Sequence, residues 1–130
     1  MNFDRKYLLC GLVYAVAGMG LGLYMGASHN HAQHVTHAHI LLLGFVVSLI
    51  YGVIHKLWLG GRVGAMATVQ FIAHHLGAVT MFTGLFLMFG NLAPEAEVGP
   101  VLGIAAMIIL SGVLMMLFMV IKAAPAAQLR

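Results

Sequence analysis

The chain has 130 residues, of which 62% are hydrophobic and only 7% are charged, whereas soluble domains carry roughly a quarter charged residues. This composition, with a mean hydropathy of +1.03, excludes a soluble globular domain and predicts a membrane protein. The net charge of +3 comes from bases scattered around the apolar segments, and because they form no cluster they give no support to nucleic-acid binding.

Four segments are long and apolar enough to cross a membrane as helices, which takes about 20 residues each. We predict spans over Tyr7–Ala27, Val35–Trp58, Met66–Gly90 and Pro100–Ile121. The first is longer than the apolar region of a cleaved signal, roughly 7–15 residues, and is interpreted as a retained helix. Residues 1–130 are therefore predicted to form a single all-α transmembrane domain.

The positions of lysine and arginine predict the orientation of these spans. Such residues occur near both ends of the chain and around the middle connector, but not in the first or third connector: Arg5, Lys6, Lys56, Arg62, Lys122 and Arg130. By the positive-inside rule, both termini and the middle connector are cytoplasmic. We expect a multi-pass protein of a bacterial inner membrane, surrounded by lipid, with its histidine-rich first connector facing outward.

Small residues recur on one face of each of the first two spans. Because such residues let helix backbones approach closely, both faces are candidate packing surfaces. They consist of Gly18, Gly22 and Gly26 in the first span and Gly44, Ser48 and Gly52 in the second.

His37 and His39, near the outer end of the second span, are the main candidates for haem ligands. Residues two apart in an α-helix point about 200° apart, so the pair must serve two different neighbours rather than one iron. Gly44 and Ser48 share the His37 face, as either a flat macrocycle or a closely packed helix would require. His55 returns to that face at the cytoplasmic end. The opposite side presents an apolar wall of Leu43, Val46 and Ile50.

A second group of histidines is expected nearer the cytoplasmic side. His74 and His75 lie within the third span, which runs antiparallel to the second and so brings them towards His55. Imidazole is a ligand for iron, copper and zinc alike. The group is either a second haem or copper site or a polar packing cluster. The connector histidines are interpreted as solvated, and the ten methionines as apolar filling.

Three segments resemble a known family, the small bacterial membrane proteins classed as cytochrome oxidase subunit I-like. They are Tyr24–His29, the His-x-His at His37 with its leucine-rich tail to Phe45, and Phe71–Gly77. In the large oxidase subunit that this family resembles, twelve helices form three four-helix arcs, and a His-x-His ligates two haems in adjacent pores. The resemblance implies that this chain is one arc. It also implies a homo-oligomer, with a trimer as the preferred form because three arcs complete the ring. In that trimer, His37 of one copy and His39 of the next hold each haem.

The chain departs from the oxidase pattern in ways that argue against a complete oxidase. The adjacent pair His74 and His75 resembles the copper ligands of the oxidases. The rise of a helix, however, places this pair about 15 Å deeper in the membrane than His39. The oxidases place a tyrosine four residues after a copper-ligating histidine, and here Leu41 and Leu43 follow instead. No acidic residue lies inside any predicted span.

The sequence thus predicts a b-type haem protein that serves in electron transfer, haem carriage or redox or gas sensing, with a redox partner that it does not specify. Two other classes stay open. One is a membrane protein that handles copper or zinc. The other is a non-catalytic subunit of a respiratory complex, in which the histidines only pack.

Overall fold

The computed structural model describes residues 1–60 and 64–123, and this part of the chain is all-helical. Its four long helices are α1 (Phe3–Ser28), α2 (His34–Leu57), α3 (Ala65–Phe89) and α4 (Glu95–Lys122). Each is long and apolar enough to cross a membrane, so the structure has four candidate membrane-spanning helices, the number predicted from the sequence. Arg62 and Arg130, on which the predicted orientation partly depends, lie outside the described residues.

α4 begins at Glu95, before the predicted start at Pro100. Proline lacks a backbone donor, so it removes only one bond near the start of the helix. Glu95 and Glu97 lie in the first turn, where negative charge interacts favourably with the helix dipole. The third connector, which the predicted spans place between Gly90 and Pro100, is therefore shorter than expected.

The helices alternate in direction and pack as two hairpins, α1 along α2 and α3 along α4. The hairpins meet where α2 contacts α3 and where side chains of α1 contact α3. One apolar cluster joins the start of α1, the end of α2, the start of α3 and the end of α4. Both ends of the described chain therefore lie at the same end of the bundle. The cluster consists of Phe3, Tyr7, Tyr51, Leu59, Ala67, Met116 and Ala123.

Two of the three glycines on the predicted face of α1, Gly18 and Gly22, pack on α2. A Cβ at Gly18 would lie 2.7 Å from a side-chain carbon of Leu41, and one at Gly22 would lie 2.8 Å from Cε1 of His37. A Cβ at Gly26 would meet nothing within 4 Å. In this antiparallel register Gly26 stands beyond the start of α2, opposite the connector, so it has no helix to contact.

α2 contains a π-helical segment, Ile40–Val46, that begins directly after His39. The predicted face of α2 nevertheless runs along α1 on both sides of it. His37 and Gly44 contact α1 before the end of the segment, and Ser48, Gly52 and His55 contact it afterwards. Such π segments often occur at functional sites, and the sequence analysis did not predict this one.

Candidate functional site

His37 is half-buried between α2 and α1. Its Nδ1 donates a hydrogen bond to the backbone carbonyl of Gly18 at 2.7 Å, and its ring lies against Gly22, where only a glycine leaves it room. Because a carbonyl oxygen only accepts, Nδ1 carries the hydrogen, and Nε2 of the neutral ring keeps its lone pair.

His39 is held in the same tautomer by its own helix. Its Nδ1 donates to the carbonyl of Val35, one turn earlier, at 2.8 Å. Within residues 1–60 and 64–123, Nε2 of neither His37 nor His39 has a hydrogen-bond partner. Histidines that bind metals are commonly oriented in this way, with the second nitrogen bonded to a carbonyl.

The two imidazoles occupy different sides of α2. His37 faces α1, whereas His39 lies two residues, or about 200°, further round the regular helical segment. Further along α2, Val46 and Ile50 are 37% and 50% exposed. α2 therefore presents an open apolar surface, available to lipid or to another protein chain.

Gly44 and Ser48 serve helix packing in this structure. A Cβ at Gly44 would lie 2.8 Å from Cγ of Tyr14 and 3.2 Å from a ring carbon of Phe82. Ser48 is fully buried and hydrogen-bonded to His74. In the single chain these neighbouring side chains fill the space beside Gly44 and Ser48, and the role of the two residues as a haem face stays a prediction.

The inner histidines form part of a buried polar cluster. His74 is 1% exposed, and its Nε2 is hydrogen-bonded to Ser48 Oγ at 2.9 Å. The neighbouring His75 is bonded through Nδ1 to the hydroxyl of Tyr14 at 2.8 Å. Their ring centroids lie 4.8 Å apart. Each histidine thus has its own oxygen partner, and the two point to different helices.

His55 belongs to the same region but is separated from the other two by Tyr7. It is 1% exposed and stacked between Phe3 and Tyr7, with centroid distances of 5.2 and 5.7 Å. Tyr7 also lies 5.8 Å from His74 and 5.4 Å from His75. Neither ring nitrogen of His55 has a hydrogen-bond partner.

The separation has a consequence for metal binding. In the described part of the chain, no three histidine, cysteine, aspartate or glutamate side chains come together as a set of metal ligands. In the single chain the inner histidines are arranged as a polar packing cluster around Tyr7, and their role as a second haem or copper site stays a prediction.

Two residues that the sequence analysis did not single out organise this cluster. The hydroxyl of Tyr7, which is fully buried, donates to Oε1 of Gln70, and Nε2 of Gln70 donates to the carbonyl of Gly112 at 3.3 Å. A glutamine inside an apolar span, one turn before His74, was a visible signal, because buried polar groups need partners.

The connector histidines are exposed, as expected. His29 adopts a left-handed conformation with φ of 56° that ends α1. Nδ1 of His34 is bonded to the carbonyl of His31 at 3.0 Å. These contacts shape the connector and do not join the histidines into a site.

Comparisons of the chain with protein-family models, with curated proteins and with solved structures found no match.

Proposed function

We propose that the chain is a membrane-embedded b-type haem protein and that Nε2 of His37 and Nε2 of His39 would hold the haem iron. The observation that carries this proposal is the state of the two rings. Nδ1 of each ring donates a hydrogen bond to a backbone carbonyl, at 2.7 Å for His37 and 2.8 Å for His39, which leaves the lone pair on Nε2 oriented for a metal ion. The resemblance of the His-x-His segment to oxidase subunit I supports the same role.

The ligand atoms fit such a group only if two copies of the chain contribute. His37 and His39 face different sides of α2, so the two rings of one chain cannot bracket one iron. The open apolar surface of α2, with Val46 and Ile50, suits a neighbouring copy or a porphyrin edge. We propose a homotrimer of four-helix arcs, with each haem between His37 of one copy and His39 of the next.

Haem with two imidazole ligands supplies one-electron transfer and has no open position for a gas. The residues of this chain would hold and orient it. The hydrogen bonds to Gly18 and Val35 direct the two imidazoles and make them better donors. Electron transfer is therefore the activity that bis-histidine ligation favours, ahead of gas sensing.

The orientation proposed for the membrane is that of a bacterial inner membrane with both termini in the cytoplasm. The described ends of the chain lie at one end of the bundle, together with Lys6, Lys56 and Lys122. The positive-inside rule places that end inside.

Spectroscopy of the purified full chain tests the haem proposal. When the protein is produced in cells supplied with haem precursor, we expect the pyridine haemochrome assay to detect haem b. The reduced protein should show sharp α and β absorption bands. His37→Ala and His39→Ala should each lose haem, while His31→Ala, in the exposed connector, should retain it. Absence of haem from the wild type would overturn the proposal. A colourless protein that retains copper or zinc in metal analysis would support the metal-handling alternative.

Coexpression of the two variants tests whether neighbouring copies share the ligands. A copy with His37→Ala still offers His39, and a copy with His39→Ala still offers His37. Mixed trimers should therefore regain about one quarter of the wild-type haem, since that fraction of interfaces is intact under random mixing. Native mass spectrometry should show three copies. No recovery of haem, or a haem-loaded monomer, would overturn the trimer.

Labelling with a membrane-impermeant maleimide tests the orientation in a Cys10→Ala background. His31→Cys, in the first connector, is expected to react in intact cells with a permeabilised outer membrane. Lys122→Cys, at the end of α4, is expected to react only after the inner membrane is broken. The opposite pattern would overturn the proposed orientation.

A further inference from the structure

A cleft between α1 and α3 lies apart from the His37 and His39 sites. It has a volume of about 460 Å³ and is almost wholly apolar. It is lined by Leu9, Cys10, Val13, Tyr14, Phe71, His75 and Val79.

The position of the cleft determines what can reach it. All of its walls belong to candidate membrane spans, and both Tyr14 and His75 lie near the middle of their helices. Val13 and Val79 are 67% and 52% exposed, so the cleft opens sideways, toward lipid. An occupant must therefore be a molecule that dissolves in the bilayer.

Two of the residues that line the cleft, Tyr14 and His75, carry polar groups inside this apolar setting. The hydroxyl of Tyr14 and Nδ1 of His75 are hydrogen-bonded at 2.8 Å. If Nδ1 donates, the Tyr14 hydroxyl is free to donate to a further oxygen. If Tyr14 donates, its oxygen is free to accept from a further hydroxyl. The pair can thus bind either a carbonyl or a hydroxyl group without rearrangement of the helices.

The chemistry of the occupant follows from these properties. An acyl chain has no polar group for Tyr14, and a diatomic gas needs far less volume. A para-quinone has carbonyl oxygens that need a donor, and its reduced form has hydroxyls that need an acceptor. Its flat ring can also pack on an aromatic side chain, which the cleft supplies in Phe71, because aromatic rings pair favourably. The volume lies within the usual range for small-molecule sites, about 300–1,000 Å³.

We propose that this cleft binds the head group of a membrane quinone, with the Tyr14 hydroxyl hydrogen-bonded to one quinone oxygen. The use of that quinone as the redox partner rests on the proposed haem function. Binding itself does not depend on haem.

Binding of a short-chain ubiquinone analogue, decylubiquinone, to the full chain in phosphatidylethanolamine–phosphatidylglycerol nanodiscs tests the proposal. Quinone retained after separation is extracted and compared with that in empty nanodiscs. We expect saturable binding of one molecule per chain. Tyr14→Phe should weaken it about three- to tenfold, the effect of one lost hydrogen bond. Its control, Tyr24→Phe, alters an exposed tyrosine outside the cleft and should bind as the wild type does.

A second pair of variants tests the cleft by its shape. Val79→Trp should fill it and weaken binding at least tenfold, while Val69→Trp, equally exposed on α3 but outside the cleft, should not. Circular dichroism checks that each variant is folded.

The outcomes separate this inference from the proposed function. Retention no greater than in empty nanodiscs, or wild-type binding by both Tyr14→Phe and Val79→Trp, would overturn the quinone site, whatever the haem content. Quinone binding by a preparation that lacks haem would support the site and overturn only the haem proposal.

Discussion

Alanine at Gly22 brings a methyl group against His37, and alanine at Gly26, on the same face of α1, does not. The added Cβ at Gly22 would lie 2.8 Å from Cε1 and 3.3 Å from Nδ1 of His37, whereas at Gly26 it would meet nothing within 4 Å. Non-bonded carbons normally stay about 3.5–4.0 Å apart. The imidazole must therefore shift by about 0.7 Å or more, which strains its 2.7 Å hydrogen bond to Gly18.

The matched pair isolates the cost of this contact. Both substitutions gain the same helix propensity, up to about 1 kcal/mol, so that term cancels. Overpacking of a close contact costs about 1–3 kcal/mol, and Gly22→Ala should be less stable than Gly26→Ala by that amount. If His37 is a haem ligand, Gly22→Ala should also lose haem or shift its absorption bands.

Unfolding in mixed detergent with increasing dodecyl sulfate, followed by circular dichroism, measures the difference in stability. Haem content is read on the same samples. Equal unfolding curves for Gly22→Ala and Gly26→Ala would refute the close approach of His37 to α1. If the two variants differ in stability but carry equal haem, the contact between Gly22 and His37 is supported, and its role in orienting a haem ligand is refuted.

Two further predictions concern the buried cluster and the α3–α4 contact. Ser48→Ala leaves Nε2 of the buried His74 without its partner, so it should lower the free energy of unfolding by about 1–3 kcal/mol. The control is Ser111, which is exposed and hydrogen-bonded only within its own helix. Ser111→Ala should change that free energy by no more than about 0.5 kcal/mol. Equal losses in dodecyl sulfate unfolding would contradict the Ser48–His74 bond. Gly77→Val places Cβ 2.7 Å from an isoleucine side chain of α4 and should lower the unfolding temperature, unlike Gly103→Val, which meets nothing within 4 Å. Similar melting curves for these two variants would contradict the α3–α4 packing.

The membrane character and the number of helices follow from the sequence because both depend on local properties. A backbone in lipid must satisfy its hydrogen bonds within each segment, so length and hydropathy suffice to find the spans. The divergence of His37 and His39 was also local, since it requires only the helical repeat. The same repeat placed Gly44 and His55 on the His37 face.

The partners of those residues depend on how neighbouring helices are registered, which no local period specifies. Gly22 meets His37 while Gly26, on the same ridge, faces the connector, although their spacing in the sequence is identical. The π-helical segment after His39 has no marker in composition.

The inner histidines show the same limit most clearly. Their types and spacing allowed either a metal site or a packed cluster. Neither indicated that Tyr7, more than 40 residues away in the chain, would place its ring against His55 and against both histidines of α3. The sequence alone determined which helices form and which way each histidine leaves its own helix. The tertiary structure decided what each histidine meets, because that depends on the side chains that fill the space between helices.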